Sequence, residues 1–365
     1  MTTALDIEYM ARALRLAHSG RNESTPNPSV GCVLVKGDKV IGEGYTQAGG
    51  VPHAEVHAIQ SASEPVDGCI AYVTLEPCSH QGKSPPCSVA LIEAGVSRVV
   101  VAMTDVNPLV SGQGIKQLRA AGISVDLGVL EAQARAVNPG FNKRMTCGMP
   151  RLTAKLAMSL DGRTAMASGQ SQWITGPEAR DDVQRLRARS CAIVSGVDTV
   201  IVDDAALTVR KFGSRQPLRM VLDSRLRLPV DAKILQQAGD TCIAYIGDDN
   251  PLAEPLQKAG AELVSMPADN GRVDLAAVMK WLAERQCNEV LLECGPRLAG
   301  AMLEQQLIDE LVVYMAPILM GSNARPLFDL PLAQMSEKVQ LDITEIRAVG
   351  DDWRIRIEPR YTAGK

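Results

Sequence analysis

The chain has 365 residues, enough for about two domains at ~150 residues each. Its composition, 46% hydrophobic and 22% charged, is that of a globular protein and excludes long disorder, collagen-like repeats and coiled coil. A formal net charge of −4 weighs against a surface built to coat nucleic acid or an anionic membrane, although a few local arginines suffice for a small anionic substrate. No apolar run approaches the ~20 residues of a membrane span. Met1 to Ala17, with Asp6, Glu8, Arg12 and Arg15, lacks the basic start and apolar centre of a signal peptide, so a cytoplasmic protein is expected. Nine cysteines are an odd count for a disulfide framework. Cys32, Cys69, Cys191 and Cys242 lie in or beside β-like runs and are expected in the core.

In chain order, Met10 to Ala17 has the spacing of a helix with one apolar face. Val30–Val35 and Val40–Tyr45 are apolar runs joined by Lys36-Gly37-Asp38-Lys39, which predicts a hairpin. A helix is expected over His53–Ala62, a strand over Ile70–Leu75, and a helix over Cys87–Ala94 closed by Gly95. Strand Arg98–Met103, helix Gly114–Ala121 and strand Ile123–Leu127 follow. Asn138 to Pro150 breaks the periodicity, which places a domain junction near Met145–Pro150. Beyond it the pattern predicts strand Leu152–Leu156, helix Pro177–Arg189, and strands Ala192–Val194, Arg219–Leu222 and Thr241–Tyr245. Helix Leu275–Gln286, strand Glu289–Glu293, helix Leu298–Gln305 and strand Glu310–Pro317 complete it. Thr175-Gly176-Pro177-Glu178 carries a capping-box pattern. Strands alternating with helices imply α/β layers.

Of only four histidines, His18, His53, His57 and His80, three fall within 28 residues. Pro52-His53-Ala54-Glu55 opens a helix, Leu75-Glu76-Pro77-Cys78 closes a strand, and Cys87 follows in Pro85-Pro86-Cys87 at another helix start. One imidazole and two thiolates can converge on Zn²⁺ and leave a fourth position for water, the arrangement of a catalytic site. The metal lowers the pKa of that water towards ~7. Glu55, two residues from His53, is placed to take its proton and return it to a leaving amine, a shuttle that typically contributes ~10²–10⁴-fold. A closed structural zinc site would need a fourth protein ligand, for which His57 or His80 are the candidates. His57, one turn after His53, is expected to pack or to support the ligands.

H-x-E followed by P-C-x-x-C is the pattern of zinc nucleobase deaminases. Here an eight-residue stretch, Ser79-His80-Gln81-Gly82-Lys83-Ser84-Pro85-Pro86, separates the cysteines. That longer loop, with Thr74-Leu75-Glu76-Pro77-Cys78-Ser79-His80 and Pro26-Asn27-Pro28-Ser29-Val30-Gly31, resembles the bifunctional deaminase–reductases of riboflavin biosynthesis. The second half resembles the reductase half of the same family: Ala154 to Arg163, Ser168 to Thr175, Arg187, Gly196, Thr199, Asp203-Asp204, Leu207 to Arg210 and Glu293-Cys294-Gly295-Pro296. The resemblance implies an α/β chain with a cytidine-deaminase-like domain over residues 1–147 and a dihydrofolate-reductase-like domain over 148–365.

It further implies that His53, Cys78 and Cys87 bind zinc, that Glu55 is the catalytic proton shuttle, and that Asn27 and Lys83 contact substrate. In the reductase half, Ser171, Arg187 and Arg210 are implied as ligands of the substrate's ribose phosphate, a role suited to the planar guanidinium fork. Leu207 and Glu293 are implied as further substrate contacts. Ala157, Trp173, Thr199, Asp203, Ser224 and the run Gly295, Pro296, Arg297, Leu298, Ala299, Gly300 and Ala301 are implied to contact NADPH. Lys155 is placed near hydride transfer.

Physics supports part of this independently. Glu293 to Gly300 is a strand, a tight turn and a helix start, which suits a diphosphate. Ser224 and Arg225 suit a 2′-phosphate, whereas Asp223 suits the free hydroxyl of NADH. Without the resemblance, Trp173 reads as core, and Arg185, Arg187 and Arg189 read as a solvated helix face. The expected partners are small pyrimidine ribose phosphates, with a homodimer or higher homo-oligomer, no nucleic acid and no membrane. The competing readings are a zinc deaminase acting on a base in tRNA or single-stranded DNA and a non-enzymatic zinc-stabilised binding module.

Overall fold

The computed structural model describes residues 2–81, 85–108, 110–213, 215–247 and 250–361. The chain divides into two compact units, Met1–Met149 and Pro150–Lys365.

The first unit runs α1 (Ala4–Gly20), β1 (Gly31–Lys36), β2 (Lys39–Tyr45), α2 (Ala54–Gln60), β3 (Ile70–Val73), α3 (Cys87–Glu93), β4 (Arg98–Val101), α4 (Gln113–Ala120), β5 (Ser124–Leu127), α5 (Glu131–Val137) and α6 (Pro139–Cys147). The strands form one sheet in the order β2-β1-β3-β4-β5. The hairpin forms as expected, with Val35 opposite Val40 and Lys36 opposite Lys39; β3, β4 and β5 are parallel. Cys32, Val33 and Leu34 on β1 are all buried, as a strand covered on both faces requires.

α1 starts earlier than its apolar spacing suggests because Thr3 and Asp6 form a capping box. α2 lies unusually close to β2. A Cβ on Gly42 would sit 2.5 Å from Ala58 O and one on Gly44 2.2 Å from Ala54 O, so only glycine permits the contact that sets the start of α2 over the sheet. Asn138 to Pro150 is not a break in structure. Pro139 is the first residue of α6, where its missing N–H costs nothing, and Gly148 in the left-handed region ends the helix.

Buried Asp6 ties this unit together, its carboxylate accepting from Arg98 (2.8 and 3.1 Å), the Tyr72 hydroxyl (3.0 Å) and the Thr3 backbone N–H (2.9 Å). Burial by itself would raise its pKa, but the Arg98 guanidinium and these hydrogen bonds hold it well below the usual carboxylate range. Its folded pKa therefore lies below its unfolded value of ~3.9. The stabilisation is fully present above that value and is lost as pH falls below it. Urea unfolding of the wild type is expected to lose stability steeply below pH ~4, and an Asp6→Asn variant, weaker at neutral pH, should show a flatter acid limb.

The second unit runs β6 (Arg151–Ser159), β7 (Arg163–Ala165), α7 (Pro177–Arg189), β8 (Ala192–Gly196), α8 (Val197–Asp203), β9 (Leu218–Leu222), β10 (Thr241–Tyr245), α9 (Ala253–Lys258), β11 (Ala261–Ser265), β12 (Ala268–Asp269), β13 (Arg272–Val273), α10 (Leu275–Glu284), β14 (Glu289–Glu293), α11 (Pro296–Glu304), β15 (Glu310–Ala316), β16 (Arg325–Pro326), β17 (Gln340–Val349) and β18 (Asp352–Arg360). The main sheet has the order β11-β10-β9-β8-β14-β6-β15-β18-β17. It is parallel as far as β15, with β18 and β17 added antiparallel. From β8 the chain winds outward through β9, β10 and β11; from β14 it crosses β6 to reach β15. The carboxyl ends of β8, β14 and β6 therefore flank the point where winding reverses, the preferred ligand crevice of such sheets.

Three expectations are corrected here. The capping box at Thr175–Glu178 does not form: Gly176 is the N-cap, without a side-chain cap, and donates its N–H to Asp352 Oδ2 at 2.7 Å. Val197–Asp203 is a helix that the sequence reading passes over. The expectations end at Pro317, yet β17 and β18 form the two longest strands of the edge.

Candidate active sites

In the first unit, His53 is the N-cap of α2 and Cys87 is the first residue of α3. Cys78 lies not at the end of a strand but in a loop beyond β3. His53 Nδ1 is 3.1 Å from Cys87 Sγ and 3.5 Å from Cys78 Sγ, and all three donor atoms lie within 4.8 Å of one another. These separations suit tetrahedral zinc, whose ~2.0–2.3 Å bonds place donors ~3.5–3.8 Å apart. Among the described residues the group has three members; neither His57 nor His80 joins it. His57 instead uses Nδ1 on Tyr45 and Gln47, packing as expected.

The two thiols are coupled: their mutual hydrogen bond favours the Cys78 thiolate and pushes the Cys87 pKa up, so without a metal the pair keeps one proton on Cys87. A hydrogen bond from Cys87 lowers the Cys78 pKa to about 4 against the opposing effect of burial, with His53 and the Cys87 N–H (3.3 Å) assisting. The Glu55 side chain is buried beside them. Burial first, and then the Cys78 sulfur, push its pKa up to about 7. Asn27 sits against the loop leading to His53, its amide donating to Gly50 O at 3.3 Å. Lys83 lies outside the described residues.

Sequence reasoning did not single out Glu76. Its buried carboxylate accepts from the backbone N–H groups of Asp105 (3.1 Å), Gly112 (2.9 Å), Gly114 (3.0 Å) and Ile115 (3.3 Å). It thus fastens the segment from Asp105 to the start of α4 beside Pro77-Cys78. Ser88 adds a second tie, donating to Cys78 O at 3.0 Å. Glu76→Gln turns an amide NH₂ toward donors, and each stranded buried N–H costs about 1–3 kcal/mol. The expected outcome is lower zinc occupancy by metal analysis and a destabilised first unit, with reductase turnover retained. The signal available in sequence was a carboxylate flanked by apolar residues and proline, which is weak.

In the second unit, Lys155 on β6 and Glu293 on β14 are paired in register. Arg187 from α7 grips Glu293 bidentately at 2.6 and 2.9 Å and donates to Thr208 O at 3.0 Å. The sequence-only reading of Arg187 as a solvated charge is overturned: its side chain is 13% exposed. Burial lowers the Lys155 pKa, while Glu293 opposes that shift. Burial alone would raise Glu293, but Arg187 and then Lys155 hold it low. Ser171 Oγ reaches Asp203 Oδ1 at 3.4 Å. Leu207 is buried, and Arg210 is exposed with its backbone N–H on Gln184. Ala157 lies on β6, two residues beyond Lys155. Trp173 is not core but 71% exposed, with the Arg180 guanidinium 4.6 Å from its ring centroid.

Two strand-to-helix turns meet in the crevice. Gly196 caps α8 and Gly295 caps α11. Gly295 N–H donates to Thr199 Oγ1 at 3.2 Å, and a Cβ on Gly196 would stand 3.5 Å from Leu298. Paired glycine turns at the starts of adjacent helices make a cradle that fits a dinucleotide diphosphate. Pro296 and Arg297 begin α11 and Ala299 to Ala301 continue it, but Gly300 faces elsewhere, since a Cβ there would meet Asp329 O at 2.0 Å. Ser224 accepts from Val273 N–H at 3.1 Å. Asp223 is fully buried and accepts from Leu228 N–H, so it is turned away from any ribose.

Residues 3–103 match the cytidine and deoxycytidylate deaminase zinc-binding region, and residues 150–355 match the RibD C-terminal domain. The riboflavin biosynthesis protein RibD of Escherichia coli K12 is 49% identical over 361 residues, covering 95% of this chain and 97% of that protein.

The chain belongs to the RibD family of riboflavin biosynthesis proteins.

Acinetobacter baumannii RibD is 42% identical with a TM-score of 0.90, covering 97% of this chain and 99% of that one. A Thermotoga maritima protein, a diaminohydroxyphosphoribosylaminopyrimidine deaminase/5-amino-6-(5-phosphoribosylamino)uracil reductase, is 30% identical with a TM-score of 0.88, covering 97% and 99%. Membership fixes the fold as a deaminase domain followed by a dihydrofolate-reductase-like domain. It also fixes the class of chemistry, a zinc hydrolase joined to a reductase of riboflavin biosynthesis. This supports the main reading and not a deaminase of nucleic-acid bases.

Proposed function

We propose that this chain deaminates 2,5-diamino-6-(5-phosphoribosylamino)pyrimidin-4(3H)-one and then reduces 5-amino-6-(5-phosphoribosylamino)uracil to its ribityl form with NADPH. We assign the first reaction to residues 1–147 and the second to 148–365. The carrying observation is the convergence of His53 Nδ1 with Cys78 and Cys87 Sγ beside the buried Glu55 carboxyl.

Zinc in that three-donor cradle supplies a nucleophile from water at neutral pH. Glu55 takes the proton released on attack at the amine-bearing carbon and delivers it to the departing ammonia. Asn27 and Lys83 hold the substrate. In the second reaction NADPH supplies the hydride. Its diphosphate would be held at the Gly196 and Gly295 turns, with Ala157, Trp173, Thr199, Asp203, Pro296, Arg297, Leu298, Ala299, Ala301 and Ser224 as further contacts. The inward turn of Asp223 favours Ser224 and neighbouring Arg225 for the 2′-phosphate. Lys155 and Glu293 face the reacting sugar; Ser171, Arg187, Leu207 and Arg210 complete the substrate site, with Arg187 also fixing Glu293.

We assign the assembly as a homodimer through the reductase half. Leu341, Ile343 and Ile346 share one face of the β17–β18 hairpin with Trp353, and all four are exposed, an apolar surface that favours burial. A cytoplasmic location accords with nine cysteines of which none forms a disulfide; among the described residues no helix is long and apolar enough to cross a membrane.

The test supplies the purified protein with the diaminopyrimidinone phosphate and follows ammonia and NADPH separately. Ammonia release is expected first, NADPH oxidation second, with chelation stopping only the first on a fresh charge of each substrate. Ammonia release that survives full zinc removal would overturn the assignment.

A further inference from the structure

Thr208-Val209-Arg210 runs beside the Arg187–Glu293 pair and lies outside any helix or strand. Thr208 and Val209 are buried, so their N–H and C=O groups need partners other than water. Side chains supply them on two consecutive peptide planes. On the first, Thr208 O accepts from Arg187 at 3.0 Å and Val209 N–H donates to Gln216 Oε1 at 2.9 Å. On the second, Val209 O accepts from Gln216 Nε2 at 2.8 Å and Arg210 N–H donates to Gln184 Oε1 at 2.8 Å. Gln216 thus makes with Val209 the two-bond exchange that paired residues make in an antiparallel ladder.

Both glutamines are themselves fixed. Gln184 lies on α7 and is buried. Gln216 rests against Gly239, where a Cβ would stand 2.8 Å from Gln216 Cβ. Buried Arg219 fastens that loop, donating to the carbonyls of Gln237, Ala238 and Gly239 and to Thr241 Oγ1. Leu207, just before the held segment, is buried with a φ of +48°, a left-handed conformation that a non-glycine residue keeps only where its surroundings over-determine it. The Arg210 side chain, by contrast, is exposed, and its charge helps to hold the Glu293 pKa low, which puts it on the crevice side. A planar guanidinium fork must be aimed to engage a phosphate bidentately, and a backbone already held in place removes part of the ordering cost of binding.

We propose that Gln184 and Gln216 are positioning residues of the reductase site: by gripping the peptide between Val209 and Arg210 they aim the Arg210 guanidinium at the substrate's 5′-phosphate and set the affinity for phosphorylated substrate, an inference that rests on Arg210 being a ligand of that phosphate. Neither glutamine touches the reacting sugar; each acts through the backbone of Arg210.

NADPH oxidation by the full chain, which reports the reductase alone, tests this in Gln216→Met, Gln184→Met and Arg210→Ala, with ribose 5-phosphate as a competing inhibitor. Methionine keeps the length of glutamine and removes its hydrogen bonds, so packing against Gly239 survives. In each glutamine variant the KM for 5-amino-6-(5-phosphoribosylamino)uracil and the inhibition constant of ribose 5-phosphate are expected to rise together by about tenfold or more, since a misplacement of ~1 Å can cost ~10²-fold. The kcat at saturating substrate should stay within about threefold and the KM for NADPH should not move, the pattern of lost uniform binding. Arg210→Ala should raise the same two constants. If it does so while both glutamine variants keep wild-type values, the positioning role is overturned and the phosphate assignment stands. If Arg210→Ala changes neither constant, that assignment fails and this inference fails with it. A matching rise in the KM for NADPH or a matching fall in kcat would show general loosening of the unit and would also overturn the positioning role.

Discussion

Replacing Glu55 by Gln is expected to slow ammonia release by ~10²–10⁴-fold or more and to leave NADPH oxidation on 5-amino-6-(5-phosphoribosylamino)uracil at its wild-type rate. The amide fills the same space in the buried pocket next to His53, so zinc content should stay near one per chain. What is lost is a group that can accept a proton from the nucleophile and pass it to the leaving nitrogen. The two reactions are assigned to separate units, each with its own core, and that separation gives the experiment its internal control. Measuring ammonia, NADPH and metal on one preparation distinguishes a lost shuttle from a lost ion. Equal loss of both activities would contradict two independent sites.

Arg187→Ala should have the largest effect on the second unit. Arg187 and Glu293 are 13% and 12% exposed and joined by two hydrogen bonds. Removing the guanidinium leaves a buried carboxylate with Lys155 and, more weakly, Arg210 to offset it, and breaking such a pair costs about 3–5 kcal/mol. Because Arg187 holds the Glu293 pKa below its ordinary value, the stabilisation is present above ~pH 4.3, the unfolded value, and fades as pH falls below it. The difference in unfolding free energy between wild type and variant is therefore expected to be greatest near neutrality and to shrink in acid. Reductase turnover should fall with it, while ammonia release persists. The double variant Arg187→Ala/Glu293→Gln should recover part of the stability, since no buried carboxylate is then left without its guanidinium. A single variant as stable as the wild type at pH 7 would show that the pair contributes nothing.

Elements with strong local signals were legible from the chain alone. The hairpin across Gly37-Asp38 and helix α3 with Gly95 after it rest on turn and cap chemistry that acts over a few residues. α7, β10 and β14 occur at the expected bounds. The misses have separate causes. α8, Val197–Asp203, is rich in β-branched residues that favour strands in isolation; packing after the Gly196 turn makes it a helix. β17 and β18 alternate polar and apolar residues, Trp353-Arg354-Ile355-Arg356-Ile357 most clearly, a period-2 signal that the reading did not use. Pro139 read as a breaker where it is a helix start.

The sequence by itself determined the donor chemistry: an imidazole, a carboxylate and one thiol at the starts of two helices, a second thiol after Pro77, and glycines at two strand-to-helix turns. These are local properties, fixed by side-chain identity and short-range geometry. Only the tertiary structure decided that Arg187 turns inward to Glu293, that Asp223 faces the core while Trp173 stands in solvent, that Glu76 fastens the segment beside Cys78, and that Gln184 and Gln216 grip one peptide. Each of those outcomes depends on which distant strands become neighbours, and burial of a charge is decided by the partner across the sheet rather than by the residue beside it in the chain.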